Sequence, residues 1–305
     1  MLGMIQRRCP VCDGTQTRAH WRKDNLSLVQ CGRCGMVFAN PIPSALQSGE
    51  HYQQLADGLY LSPDKLAADF QPVRFEREMA LFRKYCPGGA VLDVGCSTGG
   101  FLYSLEARWP GDYERLGMDV VVAALAHAAR EGVPVRSGEF PKADFGSRLF
   151  DAITMWAVVE HLADPAQFLE KAAGLLRPGG HCFVLVPNLN SLAARLLAGR
   201  YRYVMLEHVN YFTAKTLRRW MARVPAFEVM EVRTTHFNPV VIWQDWRGRG
   251  RGVPDAERIA LLKRTTAWKQ RGGLLNGCRR QLERTLGAFR LADNLVIVAR
   301  RRRVP

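Results

Sequence analysis

Residues 90 to 100 of this 305-residue chain, AVLDVGCSTGG, join an apolar strand-type run to a turn holding Gly95, Gly99 and Gly100, and the helix-type run FLYSLEARW follows. This order restricts the fold sharply. Glycine has no Cβ and tolerates positive φ, so the N–H groups of such a turn can approach a ligand closely at the end of a strand. Asp93 sits two residues before Gly95, and a second strand end, RLGMDV, follows about 20 residues past the last of these glycines. It carries Asp119, whose carboxylate is placed to hold the two hydroxyls of a ribose. The pair points to a nucleoside-bearing cofactor. The spacing is not that of the dinucleotide fingerprint. Read literally, Gly95 to Gly99 matches the G-x-S-x-G nucleophile elbow, with Ser97 as nucleophile. That reading is disfavoured, because the motif falls on what reads as the first strand of its domain and no context marks Asp144, Asp151 or Asp164 as the partner acid.

Downstream, the pattern alternates. FDAITMW is a buried-strand run; Asp164 then Pro165 read as an N-cap and a first-turn proline; Phe168, Leu169, Ala172, Leu175 and Leu176 repeat with helical spacing. Gly179 and Gly180 are expected to end that helix, and CFVLV follows as a strand, which makes a parallel crossover unit. Thr213 is a cap for a helix through Met221, FEVMEVRTT and NLVIVARR read as the last strands, and RFEREMALFRKY as a helix ahead of the sheet with Phe75, Met79 and Phe82 on one face.

Cys9-Pro-Val-Cys12 and Cys31-Gly-Arg-Cys34 form two C-x-x-C pairs, a spacing that reads as a closed tetrathiolate zinc site of structural type. Disulfides or redox-active thiols are the alternative. MLGMIQRR lacks the apolar core of a signal peptide, so a reducing, cytoplasmic location is expected, and zinc with it. A ribbon of about 40 residues buries too little apolar surface to fold alone, so the metal would supply much of its folding free energy. Cys86, Cys96, Cys182 and Cys278 are scattered.

No apolar run approaches the roughly 20 residues that span a bilayer. The net charge is +15, and the stretch from 195 to 305, with 21 arginines, three lysines and eight acids, holds the whole excess. Its densest parts are RGRGR, KRTTAWKQR and the arginine run 300 to 303. Such a segment suits RNA, an acidic membrane surface or an anionic substrate. Arginine outnumbers lysine 35 to 8, however, and solvated arginines on outer helix faces account for the charge more simply.

AVLDVGCSTGG, FDAITMWAVVEHLADP, LLRPGG, HCFVLVPN and EHVNYFTAKTL, in this order and spacing, resemble the landmarks of class I S-adenosylmethionine (SAM) dependent methyltransferases over about residues 75 to 300. The resemblance implies an α/β fold, a Rossmann-like, seven-stranded, mostly parallel sheet flanked by helices. With the ribbon it gives three segments: zinc ribbon 1–40, linker and cap 41–74, and methyltransferase domain 75–305 with a basic helical insertion before the last strand. It also implies a cofactor set. Asp93 would hold loop N–H groups or the methionine ammonium, Gly95, Cys96 and Gly99 would let the backbone come close, and Asp119 would take the ribose hydroxyls. Glu139 and Phe140 would lie at the adenine, and Trp156 would wall the pocket.

A methyl sulfonium is already activated, so displacement mainly needs an aligned acceptor and, for a hydroxyl or amine, removal of its proton. His161 in VVEHL and His208 in EHVNYF occupy positions resembling acceptor-side ones, and histidine titrates near neutrality. In ubiquinone-biosynthesis O-methyltransferases the related EH motif has a further glutamate three residues earlier and binds a divalent ion; that position is Ala157 in this sequence. A ribbon ahead of a SAM domain resembles two groups, one acting on sugars or other small molecules and one on ribosomal RNA. CGRCGMVFANPIP is more similar to the first, and the second usually completes its zinc site with a histidine where Cys34 stands. A small-molecule acceptor is therefore expected, with an RNA methyltransferase and a non-catalytic ribbon scaffold as the alternatives.

Overall fold

The computed structural model describes residues 3–48, 50–54, 60–248, 260 and 274–303. Most of the basic insertion, including KRTTAWKQR, lies outside the described residues, and so does the side chain of Cys278. The N-terminal strands are β1 (Met4–Ile5), β2 (Thr17–Lys23), β3 (Leu26–Cys31), β4 (Val37–Ala39) and β5 (Ile42–Pro43). After these come β6 (Gly89–Val94), β7 (Tyr113–Asp119), β8 (Val135–Ser137), β9 (Phe150–Trp156), β10 (Leu176–Pro187), β11 (Asn210–Tyr211), β12 (Phe227–Thr235) and β13 (Asn294–Arg301).

Seven strands form the central sheet in the order β12-β13-β10-β9-β6-β7-β8. β6 to β10 run parallel, and β13 is inserted antiparallel between β10 and β12. The chain moves outward from β6 through β7 and β8, then returns to β9 on the other side of β6. Such a reversal opens a crevice beyond the carboxyl ends of the two strands, here between Val94 and Trp156. The crossover helices follow their sequence signals. Asp164 accepts the N–H of Ala166 at the head of helix Pro165–Leu175, and Thr213 and Thr216 build a capping box for helix Ala214–Met221.

One boundary differs from expectation. The helix after β9 stops at Leu175, before the glycine pair, and Gly179 and Gly180 lie inside β10 where its register against β9 shifts between Leu176 and His181. A Cβ on Gly180 would stand 3.0 Å from the carbonyl oxygens of Arg177 and Asp151. The pair therefore serves a close backbone crossing rather than a helix end.

The cysteine-bearing segment is not a separate lobe. β2, β3 and β4 form an antiparallel sheet whose fourth strand is β11, drawn from residues 210 and 211. Met36 and Phe38 pack in the same buried cluster as Phe212, Trp220 and Met221. β5, in the segment expected to be a linker, pairs with β1.

Three arginines of the C-terminal run have protein partners. Arg300 pairs with Glu228 at 2.8 Å, Arg301 donates to the carbonyl of Leu176, and Arg302 donates to that of Pro225 at 3.2 Å. They fasten β13 to its surroundings. No helix among the described residues is long and apolar enough to cross a membrane.

Candidate functional site

A cavity of about 1410 Å³ opens over the crevice. Asp93, Gly95, Cys96, Asp119, Glu139, Phe140, Trp156, His161 and His208 all line it. Gly99 does not. It starts helix Gly100–Arg108 with φ 79°, and a Cβ there would meet Ala128 and Val133 at 3.0 and 3.1 Å.

The loop after β6 is held from two sides. The N–H groups of Gly95 and Cys96 donate to the Met118 carbonyl at 2.7 and 3.1 Å, and that of Ser97 donates to Asp119 Oδ2 at 2.8 Å. Asp119 Oδ1 accepts from Val121 N–H at 2.9 Å. The loop amide expected at Asp93 is thus bound by Asp119 instead. Asp93 accepts the Thr154 hydroxyl at 2.6 Å from the neighbouring strand. Burial pushes Asp93 up to about 7; the Thr154 hydrogen bond opposes this and the Asp119 charge adds to it. Burial also raises Asp119, against the N–H groups of Val121 and Ser97. A cation set beside Asp93 would relieve the cost of its burial, and an ammonium fits that need.

Gly95 has φ 74°, and a Cβ there would stand 2.5 Å from Val158 Cγ2. Gly95→Ala is expected to lower stability by about 1–3 kcal/mol, the cost of holding alanine in the left-handed region, read by chemical denaturation. Ser97 also has positive φ, at 50°, and its buried hydroxyl has no hydrogen-bond partner. A nucleophilic serine needs a bonded base, so the elbow reading fails on geometry. Cys96 is buried against Gly117, and burial raises its thiol well above the ordinary range.

Glu139, expected near the adenine, is exposed and pairs with Lys142 at 2.8 Å. Phe140 is buried against Phe168 and Phe145. Trp156 ends β9 between Phe101 and Phe183, with its Nε1 buried and unpartnered.

His161 and His208 meet in the cavity lining, ring centroids 4.7 Å apart and nearly perpendicular. His161 Nδ1 lies 2.9 Å from the Glu207 carbonyl and His208 Nδ1 3.0 Å from that of Tyr203. A carbonyl only accepts, so each Nδ1 carries the proton and each Nε2 the lone pair. Glu160 is 1% exposed, its Oε2 has no partner, and burial pushes it up to about 8. One donor atom from each of Glu160, His161 and His208 fits within 4.8 Å of the others. Tyr52 closes the cavity over His161, its hydroxyl 3.4 Å from the His161 carbonyl.

Sequence reasoning missed Glu160, Asp69 and Asp293. Asp69 is buried between Lys65 and Arg74 and accepts from the Thr98 hydroxyl at 3.4 Å. The only local signal for Glu160 was its place beside His161.

Asp293 lines the cavity with Oδ1 unpartnered, and burial pushes it up to about 7 while the N–H of Asn238 pulls it down. The folded state then holds a proton that the unfolded chain releases near the ordinary Asp value. Stability from this group is therefore lost as pH rises toward 7. In thermal melts from pH 5 to about 9, Asp293→Asn is expected to gain on the parent chain as pH rises, and to gain no more above about pH 8.

Four thiols gather from the turn between β1 and β2 and from the end of β3 with the turn after it. Cys9 and Cys34 sulfurs are 3.4 Å apart, Cys12 and Cys31 sulfurs 3.6 Å, and all four fall within 4.8 Å of one another. None is in a disulfide. Bonds of about 2.3 Å in a tetrahedron place sulfurs roughly 3.8 Å apart, so the cluster has the size of a zinc site.

The methyltransferase domain family model matches residues 70–224. A ubiquinone biosynthesis O-methyltransferase of Pectobacterium atrosepticum is 31% identical over 163 residues, 50% of this chain and 67% of the relative. One from Xanthomonas campestris pv. campestris is 27% identical over 236 residues, 70% of this chain and 93% of the relative. Among solved structures, a SAM-dependent methyltransferase from Thermotoga maritima aligns with TM-score 0.50 at 16% identity, covering 85% of this chain and 98% of that one. With the strand order, the crevice and the matched segment in agreement, the chain belongs to the methyltransferase domain family and is a class I SAM-dependent methyltransferase.

Proposed function

We propose that the chain transfers the methyl group of SAM to a hydroxyl of a small-molecule acceptor, with His208 or His161 receiving the hydroxyl proton. The observation that carries this reading is the pair of imidazoles, each with Nε2 as the proton-accepting nitrogen, lining the same cavity as Asp93 of β6 and Asp119 of β7. The O-methyltransferase names of the relatives support a hydroxyl acceptor. The segments 1–40, 41–74 and 75–305 serve as ribbon, cap and transfer domain.

In this reading Asp93 faces the methionine ammonium and Asp119 the ribose hydroxyls, while Gly95 and Cys96 bring the backbone close. Gly99 sets the turn that opens the helix, and Glu139, Phe140 and Trp156 border the adenine side. SAM supplies the electrophilic methyl, and the chain aligns the acceptor, excludes water and takes the proton. Asp119→Ala is expected to raise the SAM dissociation constant by 100-fold or more in calorimetry, because it removes both the ribose contact and the anchor of Ser97 N–H; hydrogen bonds to a charged group are worth about 1.5–3 kcal/mol each. An unchanged constant would retire the assignment. The acceptor class is tested by tritiated-methyl transfer from SAM into cell extract split into RNA, protein and small-molecule fractions, with label expected in the last.

Cys9, Cys12, Cys31 and Cys34 hold a structural zinc ion. A second reading of the histidine wall is favoured by the orphaned Glu160 oxygen: Glu160, His161 and His208 would hold a divalent ion that polarises the acceptor oxygen. His208 then provides the ligand that Ala157 does not.

A further inference from the structure

Arg7 lies two residues ahead of the first cysteine, yet its guanidinium reaches into the loops that carry both histidines. Nη1 donates to the carbonyls of Val209 at 3.0 Å and Ala39 at 3.3 Å; Nη2 donates to the Ala163 carbonyl and Asn210 Oδ1, both at 2.8 Å, and to the Leu162 carbonyl at 3.4 Å. Its own backbone N–H is held by Asn40 Oδ1 at 2.8 Å. Two of these acceptors directly follow His161, and two directly follow His208.

The rest of the junction works the same way. Asn210 Nδ2 donates to the Val159 and Leu162 carbonyls, Ala39 N–H donates to the Val209 carbonyl, and Val209 N–H donates to that of Glu160. β4 of the ribbon pairs with β11, which begins two residues after His208. One planar cation thus meets carbonyls from three separate stretches of chain: 39, 162–163 and 209. A lysine ammonium offers three donors from one point and cannot span them.

We propose that Arg7 is a positioning residue of the active site: by gathering these carbonyls it sets the separation and tilt of His161 and His208, so the N-terminal ribbon acts as a part of the catalytic wall. A small displacement at such a wall is enough to matter, since about 1 Å of misplacement lowers a rate by about 100-fold. The consequence for turnover rests on the reading of His161 and His208 as acceptor-side groups, whereas the positioning does not.

The test uses full-length, zinc-loaded protein carrying Arg7→Ala or Arg7→Lys. Histidine Hε1 signals are followed by NMR across pH, together with SAM binding by calorimetry, zinc content, and tritiated-methyl transfer into the small-molecule fraction of cell extract. Arg7→Ala is expected to move the His161 and His208 signals and their titration, leave those of His20 and His181 in place, keep SAM affinity and zinc, and lower the transfer rate about 10- to 100-fold. Arg7→Lys should fall between this variant and the parent. Unmoved His161 and His208 signals, with a rate within about twofold of the parent, would overturn the proposal. If Arg7→Ala sheds zinc or fails to fold, Arg7→Lys decides by the same criteria. Moved signals with full turnover retained in His208→Ala would uphold the positioning by Arg7 and remove the base reading alone.

Discussion

His208→Ala is expected to lower methyl transfer by about 10²- to 10⁴-fold, the usual range for loss of a positioned general base, while SAM affinity in calorimetry stays unchanged. The expectation follows from where the residue stands. His208 lines the cavity, is 6% exposed, and has its tautomer set by the Tyr203 carbonyl. Its removal deletes a proton acceptor without touching Asp93, Asp119 or the glycine turn. The same variant separates the two readings of the wall. If His208 is the base, the pH–rate profile of the parent has a limb that the variant lacks. If His208 is a metal ligand, chelation depresses the parent rate, added divalent metal restores it, and the variant needs far more metal. A variant with parental turnover under both regimes would remove His208 from the chemistry.

If the cysteine cluster holds zinc as proposed, removing that metal is expected to have the largest effect on the folded state. Structural zinc contributes an apparent 10–16 kcal/mol in isolated finger-type sites near neutral pH, and here the thiol cluster sits in a core shared with Phe212, Trp220 and Met221. Cys34→Ser, or exhaustive chelation during unfolding, should therefore lower the melting temperature of the whole protein and abolish turnover, instead of melting a detached ribbon. Elemental analysis should find one zinc per chain in the parent. Full zinc loss with an unchanged melting temperature would contradict this.

Much of the framework was legible because its signals are local. Asp164 and Pro165, the helical spacing from Phe168 to Leu175, and the apolar runs of β9, β12 and β13 each carry their own periodicity or cap. The carboxylates at the ends of β6 and β7 were legible for the same reason. Contacts between distant segments were not. A two-residue strand such as β11 has no period to read, so its pairing with β4 left no trace in the sequence. Gly179 and Gly180 read as a helix end, since glycine marks close backbone crossings as well as caps. Asp93 and Asp119 were both found, but which of them binds the loop amide depends on strand register. Glu160 and Asp293 are ordinary acids in sequence, and only burial makes them unusual.

The pairing of β11 with β4 also bears on synthesis. The strand that completes the sheet of the four cysteines is made more than 170 residues after the last of them. Until then one edge of β4, with Val37 and Phe38, stays uncovered, an invitation to pair with another nascent chain. Maturation of the N-terminal module is thus a late, long-range event, timed by completion of the domain that it will serve.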